Sequence, residues 1–178
     1  MNARPGADIS ASVPDWSREA KTFWQWSPSR SLLASMRCYQ RHRGTRNPLS
    51  IALRMVATVR HRFWSAVTGA DIPLNCSIGG GLLIPHPNGI VIHPDVRIGP
   101  NCLIFQQVTL GARSAKVPTV GGHVDFGAGA KVLGAITLGD HAVVGGVWRR
   151  SRPLLPVATL LPTPAQGSWY LIALGSGR

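Results

Sequence analysis

Proton-transfer chemistry is most readily placed at His86, which lies between Pro85 and Pro87. An imidazole suits this work because the unperturbed pKa of histidine lies near neutrality. A carboxylate that orients the ring and stabilises its charged form is the usual companion, and Asp71, fifteen residues upstream, is the candidate. The alternatives are an exposed loop histidine and an aspartate that caps backbone amides at a junction.

A repeat of six residues must position this pair. Between Ile72 and Val144 an aliphatic or aromatic anchor returns every six positions, which fits neither a helix nor a flat strand. It fits a β-solenoid, in which three short sides close a triangular coil and the anchors stack inside. A sandwich of short strands is the alternative. Glycines that follow many anchors are expected at corners, where the backbone conformation disfavours a Cβ. The anchors are Ile72, Ile78, Ile84, Ile92, Ile98, Ile104, Leu110, Val120, Phe126, Val132, Leu138 and Val144.

The repeat is interrupted twice. The step from Ile84 to Ile92 is eight, with the extra residues in 85–89, and the step from Leu110 to Val120 is ten. Residues 112–119 are therefore expected to bulge out as a loop, and such insertions often carry function. Because one coil holds about eighteen residues, Asp71 and the first insertion could meet on neighbouring positions of the stack.

Three motifs resemble those of the hexapeptide-repeat acyltransferases, and within them the serine O-acetyltransferase group. They are Gly89-Ile90-Val91-Ile92, Gln107-Val108-Thr109-Leu110-Gly111 and Gly127-Ala128-Gly129-Ala130-Lys131-Val132-Leu133-Gly134. The resemblance covers residues 71–145, about two-fifths of the chain. It implies a mainly β fold, a left-handed parallel β-helix with a short N-terminal α-helical segment, assembled as a homotrimer.

The resemblance also implies an activity. His86 matches the catalytic histidine that precedes Gly-Ile-Val, and Asp71 has the spacing of its carboxylate partner. The expected enzyme transfers acetyl from acetyl-CoA to the hydroxyl of L-serine, in cysteine biosynthesis. His86 would act as general base without a covalent enzyme intermediate.

Acetyl-CoA is expected as a co-substrate, with no permanently bound cofactor and no metal. The resemblance places it in the groove between neighbouring solenoids, where Gly111, Ala112 and Ala128 match positions along the pantetheine arm. Lys131 is a candidate partner for the phosphates. Plain corner residues and a solvated lysine are the alternatives.

Three differences from the serine O-acetyltransferases bear on the identity of the acceptor. Pro85 stands where the serine-specific enzymes have an acidic residue, and Lys116-Val117-Pro118 replaces their Arg-His pair. Their N-terminal helical domain is shortened here to about seventy residues. The alternatives to serine are therefore a sugar or another small hydroxyl acceptor, or a non-catalytic, decayed solenoid.

A further alternative is a zinc site built from His86, His93 and His123. It requires three imidazoles to converge on one metal ion. The resemblance disfavours it, because His93 lies in a segment where the family has no ligand.

The chain divides into an N-terminal helical segment, 1–70, a β-helix domain, 71–146, and a proline-rich tail, 147–178. Residues 1 to about 15 are expected to be disordered.

A first helix is predicted from Pro28 to about Arg43 and a second from Pro48 to Gly69. The second carries an apolar stripe at helical spacing, which predicts a cap on the first coil. A basic amphipathic helix on an anionic membrane is the less favoured alternative. The stripe comprises Leu49, Leu53, Val56, Val59, Phe63 and Val67.

The tail departs from the repeat abruptly. After Gly145 the period is lost, and the next anchor position holds Arg150. One hypothesis is that the tail is translated out of the ancestral frame; a divergent cap is the alternative. Reading the other two frames of the coding DNA for aliphatic residues at steps of six distinguishes them.

The composition of the chain limits which partners and which cellular compartment are expected. The net charge of +12 over 178 residues favours an anionic partner, and CoA, itself a polyanion, is sufficient. Nucleic acid is not expected, because no stacking aromatics interleave the basic residues.

Cys76 and Cys102 fall on inward positions and indicate buried packing in a reducing compartment. No signal peptide or membrane span is found, so the expected location is the cytoplasm.

Overall fold

The computed structural model describes residues 9–22 and 24–146, with the backbone of 161–162 and 169–171. Two helices, α1 (Pro28–Arg41) and α2 (Pro48–Thr68), precede the strands. The solenoid strands are β1 (Ser77–Ile78), β2 (Val91–Ile92), β3 (Arg97–Ile98), β4 (Leu103–Ile104), β5 (Thr109–Gly111), β6 (Thr119–Val120), β7 (Asp125–Phe126), β8 (Lys131–Leu133), β9 (Thr137–Leu138) and β10 (Val143–Val144). The tail contributes the backbone of β11 (Leu161–Pro162) and β12 (Trp169–Leu171).

The strands form three parallel sheets that are the sides of the coils. Their orders are β1-β3-β6-β9, β2-β5-β8 and β4-β7-β10, the last extended by β12 and β11. Each strand pairs with its equivalent in the next coil, as Ile92 pairs with Leu110 and Leu110 with Val132. The predicted fold class, a mainly β, left-handed parallel β-helix with a short N-terminal helical segment, is confirmed. Coil 1 comprises residues 71–90, coil 2 91–108, coil 3 109–130, and coil 4 begins at 131.

The interior is a stack of the predicted anchors. All twelve are buried, and the most accessible, Ile78, exposes 7% of its surface. Full burial of one such side chain contributes about 1.5–3 kcal/mol, so the stack is the main favourable term of the domain. The largest member, Phe126, is completely buried in coil 3.

The glycines at the corners are required for a different reason from the expected one. Gly79, Gly99 and Gly121 do not have left-handed backbones. They are required because a Cβ would strike the next coil; at Gly99 it would lie 2.5 Å from the carbonyl carbon of Gly121. The left-handed corner positions are instead held in several places by residues with a side chain, such as Asn101 with a φ of 61° and Gln107 with 59°. Coil spacing, not backbone conformation, selects these glycines.

The helices begin and end close to the predicted positions. Asn47 caps α2, accepting a hydrogen bond from the Leu49 amide at 3.0 Å, and Gly69 ends it in the left-handed conformation. α1 ends at Arg41, two residues before the expected boundary. No helix in the described ranges is long and apolar enough to cross a membrane.

The orientation of α2 contradicts the predicted stripe. Its buried face consists of Ser50, Ala57, His61 and Thr68. Five of the six stripe residues are exposed, and the sixth, Leu53, is half-buried. The expectation that this stripe packs on the first coil is therefore wrong.

The physical reason is that α1 already closes the end of the solenoid. Leu32, Leu33 and Met36 of α1 join the solenoid interior. α2 packs behind α1, with its fully buried residues small or polar. It reaches the core through half-buried Trp64 and the first coil by hydrogen bonds. His61 Nε2 donates to the Ile72 carbonyl at 2.8 Å, and Ser65 Oγ donates to the Ala70 carbonyl at 2.5 Å.

A segment before the helices, residues 9–19, here called the strap, lies along one corner of the solenoid. Asn101, fully buried, donates from Nδ2 to the carbonyls of Ser10 and Val13, each at 2.7 Å. Its Oδ1 accepts from the Asp15 amide at 2.7 Å. Residues 9–15 are therefore ordered on the solenoid, contrary to the expected disorder, because one buried amide satisfies three of their backbone groups. Residues 1–8 lie outside the described residues.

One ion pair joins the strap, α1 and coil 1. Arg37 of α1 contacts Glu19 at 2.8 Å and also donates to the carbonyls of Ile78 and Gly79. Glu19 in turn accepts from the Leu82 amide at 3.0 Å. Because both charges are largely shielded and hydrogen-bonded, loss of one partner is more costly than loss of an exposed pair.

The tail meets the solenoid at its open end. β12 pairs in parallel with β10, with Val143 opposite Tyr170, and β11 pairs antiparallel with β12. The rest of 147–178 lies outside the described residues. The reading-frame hypothesis for this tail stays a prediction.

We expect His61 to make stability depend on pH. Burial lowers its pKa, although hydrogen bonds to the Ile72 and Leu32 carbonyls oppose the shift. As pH falls below the ordinary value of 6.5, the unfolded chain binds a proton before the folded one, so stability is lost. Denaturant titrations should show a slope of up to about 1.4 kcal/mol per pH unit from this group. His61→Gln should flatten the profile, whereas His42→Gln should not; equal slopes in all three proteins would contradict the assignment.

We expect Asn101 to hold the strap. Asn101→Gly tolerates the left-handed backbone but removes three hydrogen bonds, so amides 13–19 should exchange with solvent much faster and stability should fall by about 2–3 kcal/mol. Asn101→Ala should add roughly 1 kcal/mol of backbone strain. Hydrogen exchange read by mass spectrometry measures both. Unchanged protection of the strap in the glycine variant would show that other contacts hold it.

Candidate active site

The loop that carries His86 returns to the start of the solenoid beside Asp71, which forms an isolated β-bridge with Val91. The Gly89 amide donates to the Gly69 carbonyl at 2.8 Å, and the Asp71 amide donates to the Ile90 carbonyl at 2.8 Å. The first insertion thus leaves the solenoid after Ile84 and rejoins it beside Asp71. Gly89 is left-handed, with a φ of 70°, which allows this tight return.

The two side chains lie at the surface of this corner. Both His86 and Asp71 are exposed, and no hydrogen bond or ion pair joins them in the part of the chain that the structure describes. Hydrogen bonds between catalytic groups are often formed only in the complex with substrate. The pair therefore remains a prediction, supported by the shared corner and not by a direct contact.

Two clefts flank the corner. The first, about 590 Å³, lies between α2 and the start of the solenoid, and Asp71, Arg62 and Gly69 line it. The second, about 320 Å³, lies between α1 and coil 1, and its lining includes Pro85, next to His86. Neither cleft is lined by both members of the predicted pair.

The candidate cofactor residues lie on coils 3 and 4. Gly111 ends β5, opposite Leu133 of β8. A Cβ at Gly111 would lie 2.8 Å from the Leu133 side chain, so the glycine accommodates that neighbour as well as any ligand. Ala112 and Ala128 are exposed at the ends of their coil sides. Their roles stay predictions.

The side chain of Lys131 reaches back to residues 107 and 109. Its Nζ donates to the Gln107 carbonyl at 2.7 Å and to Thr109 Oγ1 at 2.8 Å. These bonds hold the ammonium above the Gln-Val-Thr-Leu-Gly motif and leave one N–H for another acceptor. The lysine can therefore be both a coil-to-coil tie and a phosphate contact.

The second insertion forms a tight turn, as expected of a loop. Arg113 and Lys116 exchange backbone hydrogen bonds, and Ser114 and Ala115 between them are both left-handed. This is the geometry of a two-residue hairpin turn. Its base packs on coil 4, since a Cβ at Gly134 would lie 3.1 Å from the Arg113 Cβ.

The two cysteine thiols of the solenoid are not placed for nucleophilic chemistry. Cys76 and Cys102 are buried, and burial raises the pKa of each to about 11. Thiols of this kind are protonated at neutral pH and chemically inert. The interpretation of both as packing residues is confirmed.

The zinc alternative has no geometric support. His123 lies against His141 of the next coil, with 2.7 Å between the two Nδ1 atoms, and His93 lies near Asp95. No three potential ligand side chains come together within the described ranges. Burial lowers the pKa of His123, and the neighbouring His141 lowers it further, while Asp125 opposes the shift.

Sequence reasoning missed one polar group. The side-chain oxygen of Gln106 is buried without a hydrogen-bond donor among the described residues. Its backbone carbonyl accepts from the Gly129 amide at 2.9 Å, next to Ala128. The available signal was a glutamine at a corner directly before the Gln-Val-Thr-Leu-Gly motif.

The fold and its motifs resemble those of the hexapeptide-repeat acyltransferases. The curated relatives and solved structures that this chain resembles are serine acetyltransferases. A serine acetyltransferase of Mycobacterium tuberculosis is 35% identical over 117 residues, which are 64% of this chain and 51% of the relative. One of Helicobacter pylori is 43% identical over 83 residues, 44% of this chain and 48% of the relative. No family model matches the chain.

The structural matches agree with the sequence matches. A serine acetyltransferase in complex with CoA superposes with a TM-score of 0.55 at 28% identity, covering 68% of this chain and 48% of that one. A soybean serine acetyltransferase complexed with serine gives 0.52 at 28% identity, with 67% and 46% covered. The chain spans about half the length of the curated relatives it matches.

We expect the native chain to present one reactive thiol. A chromogenic disulfide reagent at mildly alkaline pH should modify half-buried Cys38, while Cys76 and Cys102 react only after denaturant is added. Cys38→Ser should abolish the fast phase. Rapid modification of two or three thiols in the folded protein would contradict the buried, protonated state of the solenoid cysteines.

Proposed function

We propose that the chain is an O-acetyltransferase that moves acetyl from acetyl-CoA to the hydroxyl of L-serine. The observation that carries the proposal is the return of the His86 loop beside Asp71, within a solenoid that resembles serine acetyltransferases. The Gly89–Gly69 and Asp71–Ile90 hydrogen bonds hold the two segments together at one corner. The neighbours solved with CoA and with serine support the same two ligands.

The mechanism is a direct transfer. His86 removes the proton from the acceptor hydroxyl, the oxygen attacks the thioester carbonyl, and the CoA thiolate leaves with a proton returned by His86. Asp71 orients the ring and stabilises its charged form. The two buried cysteines have pKa values of about 11, which is consistent with a mechanism without a covalent thioester on the enzyme.

Acetyl-CoA is bound along the outer surface of coils 3 and 4. Small side chains at Gly111, Ala112 and Ala128 let the backbone approach the pantetheine arm. Lys131, already tied above Thr109, offers its remaining N–H to a phosphate. The groove is completed by a neighbouring copy in a homotrimer, and the enzyme works in the cytoplasm, where its cysteines stay reduced.

A second acceptor class is favoured by two features of the sequence. Pro85 cannot supply the carboxylate that precedes the catalytic histidine in the serine-specific enzymes, and Lys116-Val117-Pro118 stands where those enzymes carry their Arg-His pair. An acetyltransferase for a sugar or other small hydroxyl keeps the same mechanism. A decayed, non-catalytic solenoid is the remaining alternative.

The test is release of free CoA from acetyl-CoA with L-serine, with a panel of sugar alcohols and without acceptor. We expect turnover with serine, and a loss of about 10²- to 10⁴-fold in kcat for His86→Gln, because a positioned base contributes that much. Asp71→Asn should lose less, and His42→Gln, on the helical segment, should retain the activity.

Each outcome separates the alternatives. Turnover with another hydroxyl only would move the acceptor and keep the mechanism, and Pro85→Asp should then shift preference towards serine. A folded, trimeric protein that releases no CoA with any acceptor would overturn the proposal. Activity that survives in His86→Gln would overturn the assignment of the base.

A further inference from the structure

The exposed face of α2 is apolar, whereas its buried face is small and polar. Met55 and Val59, one turn apart at the centre of the exposed side, expose 66% and 69% of their surfaces. Such a contiguous apolar surface is unusual on a soluble domain and marks an interaction site. The exposed apolar face of α2 comprises Leu49, Ile51, Met55, Val56, Val59, Phe63 and Val67.

Arginines border this face on both sides. With 3.6 residues per turn, Arg60 falls beside Leu49 and Val67 at one edge, and Arg62 falls beside Met55 at the other. Both are exposed. A long side chain at the edge of an apolar stripe can lay its methylene groups on apolar material and keep its charge at a polar boundary.

The surrounding segment contains no acid. Residues 20–70 hold one lysine and eight arginines, without a single aspartate or glutamate. Arg41, Arg43 and Arg46, which follow each other around the turn between the helices, are also exposed. No carboxylate forms an ion pair with these three side chains, or with Arg60 and Arg62, in the described part of the chain.

The charge pattern favours one class of occupant. We propose that α2 lies flat on an anionic lipid surface, with its apolar face in the headgroup and acyl boundary and its arginines at the phosphates. An amphipathic helix with basic edges binds in this way. A two-fold contact between the α2 faces of two copies is a poorer occupant, because it would bring Arg60 and Arg62 of both copies together with no carboxylate in the segment to neutralise them.

Burial of the other face makes this binding compatible with the fold. Ser50, Ala57, His61 and Thr68 form the buried side of α2, and His61 bonds to both α1 and the first coil, so the exposed side can enter a membrane surface without disturbing the core. The helix is not a span; it carries three arginines in 21 residues. The proposal is independent of the acetyl-transfer activity and does not require it.

The experiment is flotation of the full chain with phosphatidylcholine vesicles that contain phosphatidylserine, and with phosphatidylcholine alone. We expect binding to the anionic vesicles, weakened by added salt, and little binding to the neutral ones. The double variant Met55→Gln, Val59→Gln should lose about tenfold or more in affinity. The double variant Arg60→Gln, Arg62→Gln should lose roughly twenty-fold.

Matched controls change the same chemistry elsewhere. Val91→Gln alters an exposed apolar residue of β2, and Arg97→Gln removes an exposed charge of β3; both should bind like the parent chain. Circular dichroism and thermal unfolding of every variant confirm folding, which exposed substitutions should preserve.

Three results would overturn the proposal. The first is the absence of binding to anionic vesicles. The second is binding that the α2 variants do not weaken more than the controls do. The third is a molecular mass, measured by analytical ultracentrifugation, that falls in the Met55→Gln, Val59→Gln variant while vesicle binding is absent, which would make this face an interface between copies.

Discussion

The hydrogen-bond ladder between coils is the constraint on which the rest of the structure depends. Every side of a coil pairs in register with the same side of the next, so any excess residue must leave the stack at a corner. Both insertions do so, one as the loop of His86 and one as the turn at 113–116. The ladder also brings the backbones of Gly99 and Gly121 so close that a Cβ at Gly99 would overlap Gly121, which excludes a larger residue there. The candidate site is therefore a consequence of where the repeat is broken.

The solenoid was predictable because one term, burial of an inward side chain every six residues, dominates it. The burial of Ile92, Leu110 and Val132 could be predicted without knowing which residues surround them. The same step along the chain that buries one of them places the next one above it. Counting residues also predicted that Asp71 and the loop of His86 lie at neighbouring positions of the stack. Their mutual orientation could not be predicted, because it depends on the return of the loop through Gly89 and on groups that a substrate would supply.

The helical segment resisted prediction for a different reason. Periodicity shows that α2 has an apolar face but not which partner that face meets. α1 supplied Leu32, Leu33 and Met36 to the open end of the solenoid. The contacts left to α2 were hydrogen bonds from His61 and Ser65 and the packing of Trp64 against the edge of the core. The strap was missed because its order depends on distant partners, chiefly the Asn101 amide and the Arg37–Glu19 ion pair, and no local pattern in residues 9–15 reports them.

The strap has a consequence for how the solenoid comes apart. In a stack whose coils touch only their neighbours, the terminal coils can fray one at a time. Here Trp16 lies over Gly80 of coil 1, Asp15 is bonded to Asn101 of coil 2, and Ala11 abuts Gly122 of coil 3. A segment that spans three coils couples their opening, because none can separate from the next without also stripping the strap. The solenoid then behaves along this edge as one cooperative unit and not as a chain of independent repeats.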